Sequence, residues 1–543
     1  MTAVVFRSVT TDLTAANSDF GNTATVLIIG EKASLVAENA LPLSGLSLAS
    51  DFIRPIADGS TDSLTSYVAG KAVTVATFSD KKSRTLGPIR GDAIHEVVSK
   101  HCGKGDAVIL VHVSSEDQIL TAALSIARVF PTYSRKQSSA ASRTLNIHFI
   151  LPTAPKSTIT STTRTTTTTR TATINGVSAT ASTTTTAKTI QTKQKVDVAK
   201  IQAVADAVRD AAHLVDTAPN ELNPTTYTEI VQDVWKSKLE ALGVTMKVIR
   251  GTELRDQGYG GIWSVGMASE NPPALIVLSH TPANAHKTVA WVGKGITFDT
   301  GGLDLKVGGG MIGMKSDMGG SAGIFHAFVA TVVNGINTNF NLHAVLCVAE
   351  NSLDSRSFRP DDVIHAYSGK TVEVTDTDAE GRLVLMDGVA HASKDLKADV
   401  VVDMATLTGA QPYATGVRHA GFISNSEEFE GMVVDAGKAS GDLARAMLYC
   451  PEYLAVDTAF KSQVADMINY SGGGIDRVNA PSSAAGFFVG AHLVPEEKWV
   501  ENGEGMWAHI DMALPSKING KASGYGVGIL YALAESLNAK YAQ

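Results

Sequence analysis

Thr375 to Gly388 read TDTDAEGRLVLMDG. Asp376, Asp378 and Glu380 stand at alternate positions, Arg382 follows in the same rhythm, and apolar sequence begins at once. With KTVEVTD before it as a strand and AEGRLVLMDGVAHASKDL as a helix, the stretch is a strand-to-helix junction, the connection from which α/β folds are built. Alternate side chains of a strand share one side, so the three acids would set out together before the helix takes over. Carboxylates held so close repel one another unless some keep a proton or a cation lies between them. An acidic turn is the plainer explanation, with Asp378 capping a helix that starts near Ala379.

The same alternation extends in both directions. PALIVLS, KTVAWVGKGITF, NLHAVLCVA and ADVVVDMA read as further strands, and DMGGSAGIFHAFVATVVNG as a helix. Nearer the N-terminus, TATVLIIG, KAVTVATF, DAVILVHV and TLNIHFIL read as buried strands, with GPIRGDAIHEVVSKHC and SSEDQILTAALSIARVF as helices between them. The expected fold is α/β in two domains. Residues 1–152 form a smaller N-terminal α/β domain, and residues 196–543 a larger C-terminal one with a central mixed sheet flanked by helices. Residues 153–195 are threonine-rich, with few bulky apolar side chains, and read as a disordered surface insertion or spacer. Ile201, Val204, Ala205, Val208, Ala212 and Val215 follow one helix face, predicting a helix that joins the domains and ends near Ala218-Pro219.

Bulk composition narrows the function. A net charge of −8 leaves no basic surplus to recruit nucleic acid or anionic lipid. The three cysteines, Cys102, Cys347 and Cys450, lie far apart and suit a reducing compartment. No apolar run approaches the roughly 18 residues of a membrane span, and the first residues lack a signal-peptide core. A cytoplasmic location is expected.

Two more segments resemble the opening one in kind. VGKGITFDTGGLDLK (Val292 to Lys306) follows a strand with Lys294, Asp299 and Lys306 among four glycines. GMKSDMGGSAG (Gly313 to Gly323) sets Asp317 just before a helix. Ligands of open α/β sheets bind at the carboxyl ends of strands, and a metal would neutralise acids gathered there. Carboxylates without a His-rich motif, HExxH or cysteine cluster indicate a hard or borderline dication: Zn²⁺, Mn²⁺, Co²⁺ or Mg²⁺. On spacing alone, Lys294 and Lys306 are better suited to salt bridges, with phosphate binding a rival for Lys306. His326, His343, His365 and His391 read as structural histidines, and VGGGMIG (Val307 to Gly313) as a mobile loop at the site mouth.

With VGKGITFDTGGLDLK, MKSDMGG, TDTDAEGRLVL, DMATLTGA and WAHIDMA, the chain resembles the leucyl aminopeptidase (cytosol aminopeptidase) family over residues 196–543, nearest its probable-aminopeptidase-like branch. The resemblance implies a metalloaminopeptidase in which a water activated by two metals removes the N-terminal residue of short peptides with free N-termini. It implies that Lys294 (as a neutral amine) and Asp317 complete the tighter metal site, Asp299 and Glu380 bridge the two ions, and Asp378 serves the more exchangeable one. Zn²⁺ is the expected ion, with Mn²⁺, Co²⁺ or Mg²⁺ as alternatives at the exchangeable site. Lys306 would stabilise the oxyanion, and Arg382 would hold a bicarbonate acting as general base. Met314, Thr406 and Gly409 match the pocket for the first side chain, or are ordinary packing residues. The resemblance further implies a homo-hexamer. The family pattern Asn-Thr-Asp-Ala-Glu-Gly-Arg has Asn where this chain has Asp376. The alternative reading is a weak or inactive member acting as a binding or scaffold protein, and a two-metal phosphatase is a more distant third.

Overall fold

The apolar runs of the first half form the strands expected of them. In the computed structural model, which describes residues 2–11, 17–20, 23–36, 52–68, 70–137, 142–152, 163–174, 177–188, 196–454, 459–471, 480–499 and 503–542, six strands build the N-terminal sheet. They are β1 (Thr2–Thr10), β2 (Thr25–Glu31), β3 (Ser63–Val68), β4 (Lys71–Phe78), β5 (Ala107–His112) and β6 (Arg143–Ile150), in the order β1-β6-β5-β2-β4-β3. All neighbours run parallel except the β3–β4 pair. Helices Gly91–His101 and Ile119–Ala127 lie between the strands in sequence, as α/β connections do.

The threonine-rich stretch corrects an expectation. Instead of a disordered spacer, β7 (Thr163–Ile174) and β8 (Val177–Lys188) pair antiparallel, from Thr163↔Lys188 to Ile174↔Val177. Threonine is β-branched and favours extended backbone. The two strands are separated in sequence by Asn175-Gly176, a pair favoured in two-residue hairpins. The flanking residues 153–162 and 189–195 lie outside the described residues.

Helix Val198–Asp216 is capped by the Asp197 carboxylate, which accepts from Ala199 N–H, and it buries Val204, Ala205, Val208, Ala212 and Val215 as their spacing predicted. One continuous apolar core includes this helix and residues from both sheets.

The second half contributes β9 (Thr245–Arg250), β10 (Ala274–His280), β11 (Lys287–Asp299), β12 (Phe340–Asn351), β13 (Val363–His365), β14 (Thr371–Glu373), β15 (Val400–Ala405), β16 (Ala420–Ser424), β17 (Ala444–Ala446), β18 (Met467–Ile468) and β19 (Met506–Asp511). Eight of them form a mixed sheet in the order β17-β16-β19-β15-β11-β12-β10-β9, and β13, β14 and β18 form a separate three-stranded one. The central strands β19, β15, β11 and β12 are mutually parallel. β11 is a nearly continuous apolar run because both its faces are covered. Val289 and Trp291 join the core shared with helix Gly319–Val333, while Ala290 and Val292 join the core shared with helix Glu380–Lys394. Two helices therefore converge on the carboxyl end of one strand. At Gly320 a Cβ would stand 2.1 Å from the Met404 carbonyl oxygen, so only glycine lets the first helix seat against β15.

The strand-to-helix junction at 375–388 differs from the expectation. β14 ends at Glu373, and Asp376 and Asp378 sit in a loop, so strand alternation does not align them. The helix starts at Glu380 with Ala379 as its N-cap and no side-chain cap, so Asp378 is not a capping residue.

Candidate active site

Lys294 and Asp299 are five positions apart, which on a regular strand puts them on opposite faces. β11 gains one residue against β12 between Ile296 (facing Ala349) and Asp299 (facing Asn351). That bulge returns Asp299 to the face of Lys294. Asn351 then fixes it, its Nδ2 donating to Asp299 Oδ1 at 2.9 Å and to the Thr377 carbonyl at 3.1 Å.

The other segments deliver their side chains to the same place. Lys294 Nζ lies 2.8 Å from Asp317 Oδ2 and 2.9 Å from Glu380 Oε1. It also donates to the Thr406 carbonyl at 3.1 Å. Lys306 Nζ lies 2.9 Å from Asp299 Oδ2 and 2.6 Å from Asp378 Oδ1. Oxygens of Asp299, Asp378 and Glu380 all fall within 4.8 Å of one another. Lys294, Asp299, Asp317 and Glu380 are buried, and Asp378 is the exposed member. Gly381 explains the glycine after Glu380: a Cβ there would come within 2.6 Å of Lys294 Nζ, which two carboxylates already pin.

The crowding shows in the acidities. Burial pushes Asp317 up to about 6, with Lys294 opposing and Asp299 adding to the rise. Burial and then the Asp299 charge push Asp378 up to about 6. Glu380 is raised well above the usual carboxylate range by burial, with Asp299 adding to it. Burial alone would lower Lys294 and Lys306, but their neighbouring carboxylates outweigh it and hold both above the ordinary lysine value. Carboxylates this reluctant to ionise together form the kind of oxygen-rich donor set that suits divalent cations. Glu380 Oε2 is buried and, among the described residues, has no hydrogen-bond partner, so its lone pairs are unfilled. The residues present therefore fit a metal centre.

Arg382, in the first turn of the helix, is buried. Its Nη1 donates to the Asn469 carbonyl at 2.8 Å, and its guanidinium lies 5.7 Å from the Tyr470 ring centroid and 5.9 Å from that of Phe488. Lys306, Asp376, Asp378, Glu380 and Arg382 line one side of a cavity of about 500 Å³. Leu407 to Ala410, Tyr413, Tyr470 and Pro481 line it as well. Gly409 is thus on the cavity wall. Thr406 and Met314 are not: Thr406 donates from Oγ1 to Asp317 Oδ1 at 2.9 Å, and Met314 opens the one-turn helix before Asp317. Val307 and Ile312 of the glycine-rich loop are exposed. His326, His343 and His391 are buried away from this cluster, with Ser279 partnering His343 and Tyr259 partnering His391, whereas His365 is exposed on β13.

Several contributors escaped the sequence reading. Thr377 Oγ1 donates to the Gly301 carbonyl at 2.7 Å and accepts from Asp304 N–H at 2.8 Å, stapling the Lys306 loop to the Asp378 loop. Its only signal is a hydroxyl residue between two acids. Asn351 ends the apolar run NLHAVLCVAEN, and such a polar terminus is the mark that could have found it.

The family described as "Cytosol aminopeptidase family, catalytic domain" matches residues 209–531. The chain belongs to the cytosol aminopeptidase family. The description "M17 aminopeptidase N-terminal domain 2" matches residues 24–139. The human protein called probable aminopeptidase NPEPL1 is 41% identical over 476 residues, covering 87% of this chain and 81% of that one. The solved Caenorhabditis elegans leucine aminopeptidase superposes with a TM-score of 0.80 at 31% identity, covering 99% of this chain and 98% of that one. Leucyl aminopeptidase from Trypanosoma brucei, solved in complex with bestatin, gives 0.80 at 32% identity, covering 98% and 95%. As a cytosol aminopeptidase the chain is a metal-dependent peptide hydrolase of α/β fold. Among the described residues no helix is long and apolar enough to cross a membrane.

Proposed function

We propose that this cytosol aminopeptidase removes the N-terminal residue of short peptides with a free α-amine, using the convergence of Lys294, Asp299, Asp317, Asp378 and Glu380 as a two-ion centre. That convergence, of five groups from three separate segments of the chain, is the observation that carries the reading. Lys294 and Asp317 would hold the tighter ion, Asp378 the more exchangeable one, and Asp299 and Glu380 both. Zn²⁺ is the expected ion, with Mn²⁺, Co²⁺ or Mg²⁺ as alternatives at the second position. Bound there, two dications supply Lewis acidity toward a peptide carbonyl and lower the pKa of a water.

The protein's own groups do the rest. Lys306 is held protonated by Asp299 and Asp378, so it can donate to the carbonyl oxygen as negative charge develops there. Arg382, on the wall of the same cavity, presents a planar fork suited to bicarbonate, whose chemistry at that position is that of a general base. Gly409 lines the space for the first side chain, with Thr406 and Met314 assigned to the same pocket by family position. We divide the chain into an N-terminal domain (1–152), an inserted segment (153–195) and the peptidase domain (196–543). We assign it to a cytoplasmic homo-hexamer, a location supported by free Cys102, Cys347 and Cys450. The test is release of N-terminal residues from dipeptides and aminoacyl amides by purified protein loaded with each metal in turn. Turnover that needs a free α-amine and an added dication is expected; no release from any substrate with any metal would sink the proposal.

A further inference from the structure

Asp511, the last residue of β19, is fully buried and takes no part in the chemistry above. It accepts five hydrogen bonds. Oδ1 receives Leu407 N–H at 3.2 Å, Thr408 N–H at 3.4 Å and Ala513 N–H at 3.3 Å. Oδ2 receives Thr408 Oγ1 at 2.6 Å and Ser482 Oγ at 2.7 Å. Leu407 and Thr408 line the cavity together with Gly409 and Ala410, and Pro481, the neighbour of Ser482, lines it from another segment. One carboxylate therefore ties two segments of the cavity wall to the end of a central strand. Residues 406–410 belong to no helix or strand, so side-chain anchors rather than a backbone ladder set their path. Thr406 secures the first of them to the metal-site side chains. Thr408 passes the anchorage on, its Oγ1 accepting from Gln411 N–H at 3.2 Å at the start of the turn that carries Tyr413. A buried carboxylate is costly unless its lone pairs are filled, and here backbone and hydroxyl donors fill them.

The geometry points to Asp511 as the positioning residue that shapes the pocket for the substrate's N-terminal side chain, acting through residues 407–410 and Ser482-Pro481. The inference rests on the aminopeptidase reading. It makes selectivity a property of an acid that touches no substrate.

The test compares full-length, metal-loaded wild type with Asp511→Asn and Ser482→Ala. Asparagine keeps the acceptor for the three N–H groups but reverses the polarity offered to the two hydroxyls, and Ser482→Ala removes one anchor should the first variant fold poorly. Measurements are kcat and KM for alanyl, leucyl, methionyl and phenylalanyl amides, calorimetric Kd for bestatin, and bound metal. We expect KM and the bestatin Kd to rise about tenfold and the ranking of side chains to flatten. Metal content and kcat should stay within about threefold. Variants that match wild type in KM, Kd and ranking while merely melting earlier would overturn the role of Asp511. A wild type that neither cleaves the amides nor binds bestatin would overturn the aminopeptidase reading, and this inference with it.

Discussion

The N-terminal sheet and the catalytic sheet are both α/β layers with apolar parallel strands at their centres, yet they tolerate different interiors. Among the described residues of the first, no Asp, Glu, Lys or Arg is buried; its buried polar groups are threonines, Ser125, Gln118, His112 and His148. The second buries Lys294, Asp299, Asp317, Glu380, Arg382, Asp387, Asp403, Asp442 and Asp511. Removing a charge from water costs several kcal/mol, so an interior retains one only where partners satisfy it or chemistry uses it. Both cases occur here. Asp387 accepts from the N–H groups of Gly261, Ile262 and Tyr367, and Asp442 from those of Gly526, Gly528 and Ile529 besides pairing with Arg128. The Lys294 cluster is different, because its acids are raised by burial and further by the Asp299 charge, and Glu380 Oε2 has no hydrogen-bond partner among the described residues. Buried charge that backbone donors do not account for is what separates a working sheet from a supporting one.

The largest expected effect tests that distinction directly. Asp378→Ala removes the exposed acid of the cluster, so folding should survive while turnover falls roughly a thousandfold, about 4 kcal/mol of barrier. Elemental analysis should show one bound ion fewer. Full metal content with full turnover would mean that the cluster is a structural ion-pair network after all. Next in size is Lys306→Ala. Losing a donor to a developing oxyanion costs about 10²–10³ in kcat. Because Lys306 is not counted among the ligands, bound metal should remain, and its loss would move Lys306 from chemistry to scaffolding.

The comparison also explains what could be read beforehand. Apolar runs bounded by glycine report burial along a segment, so β2, β4 to β6, β10 to β12 and β15 were legible, as was the helix face from Ile201 to Val215. Pairing between distant segments leaves no such trace. The one-residue bulge that reunites Lys294 with Asp299 depends on β12, more than forty positions away, and periodicity in KTVAWVGKGITFD does not contain it. The five-residue cluster was recognised through family resemblance, not through spacing. Asp387 in LVLMDGVA and Asp511 in HIDMA are single acids in apolar runs, which signals a buried carboxylate but names no partner. In the threonine-rich stretch, low bulk argued for disorder and outweighed the β-propensity that the paired strands express.

Smaller effects probe the supporting sheet. Burial pushes the His112 imidazole from 6.5 down to about 4. The unfolded chain takes up that proton below pH 6.5 and the folded chain only below about pH 4. Stability from this residue is therefore complete above pH 6.5 and lost as the pH falls toward 4, by about 3 kcal/mol. Urea midpoints between pH 7 and 4 should fall less steeply in His112→Asn than in wild type. Equal slopes would mean that this interior accepts a charge, and the contrast between the sheets would weaken.

The smallest effect is the most discriminating for the division of labour. Phe6 on β1 and Phe149 on β6 stack with ring centroids 5.9 Å apart and planes inclined by 7°, both buried in the N-terminal core. Phe6→Leu keeps most of the apolar area but loses the stacking, which is worth about 0.5–1.5 kcal/mol. The melting temperature should drop by a few degrees while kcat and KM, measured well below it, stay at wild-type values. Both rings lie in the core that runs on through helix Val198–Asp216 into the catalytic sheet, so a mechanical route between the halves exists. A fall in kcat at an unchanged folded fraction would show that the route carries function, and the N-terminal sheet would then be part of the catalytic apparatus.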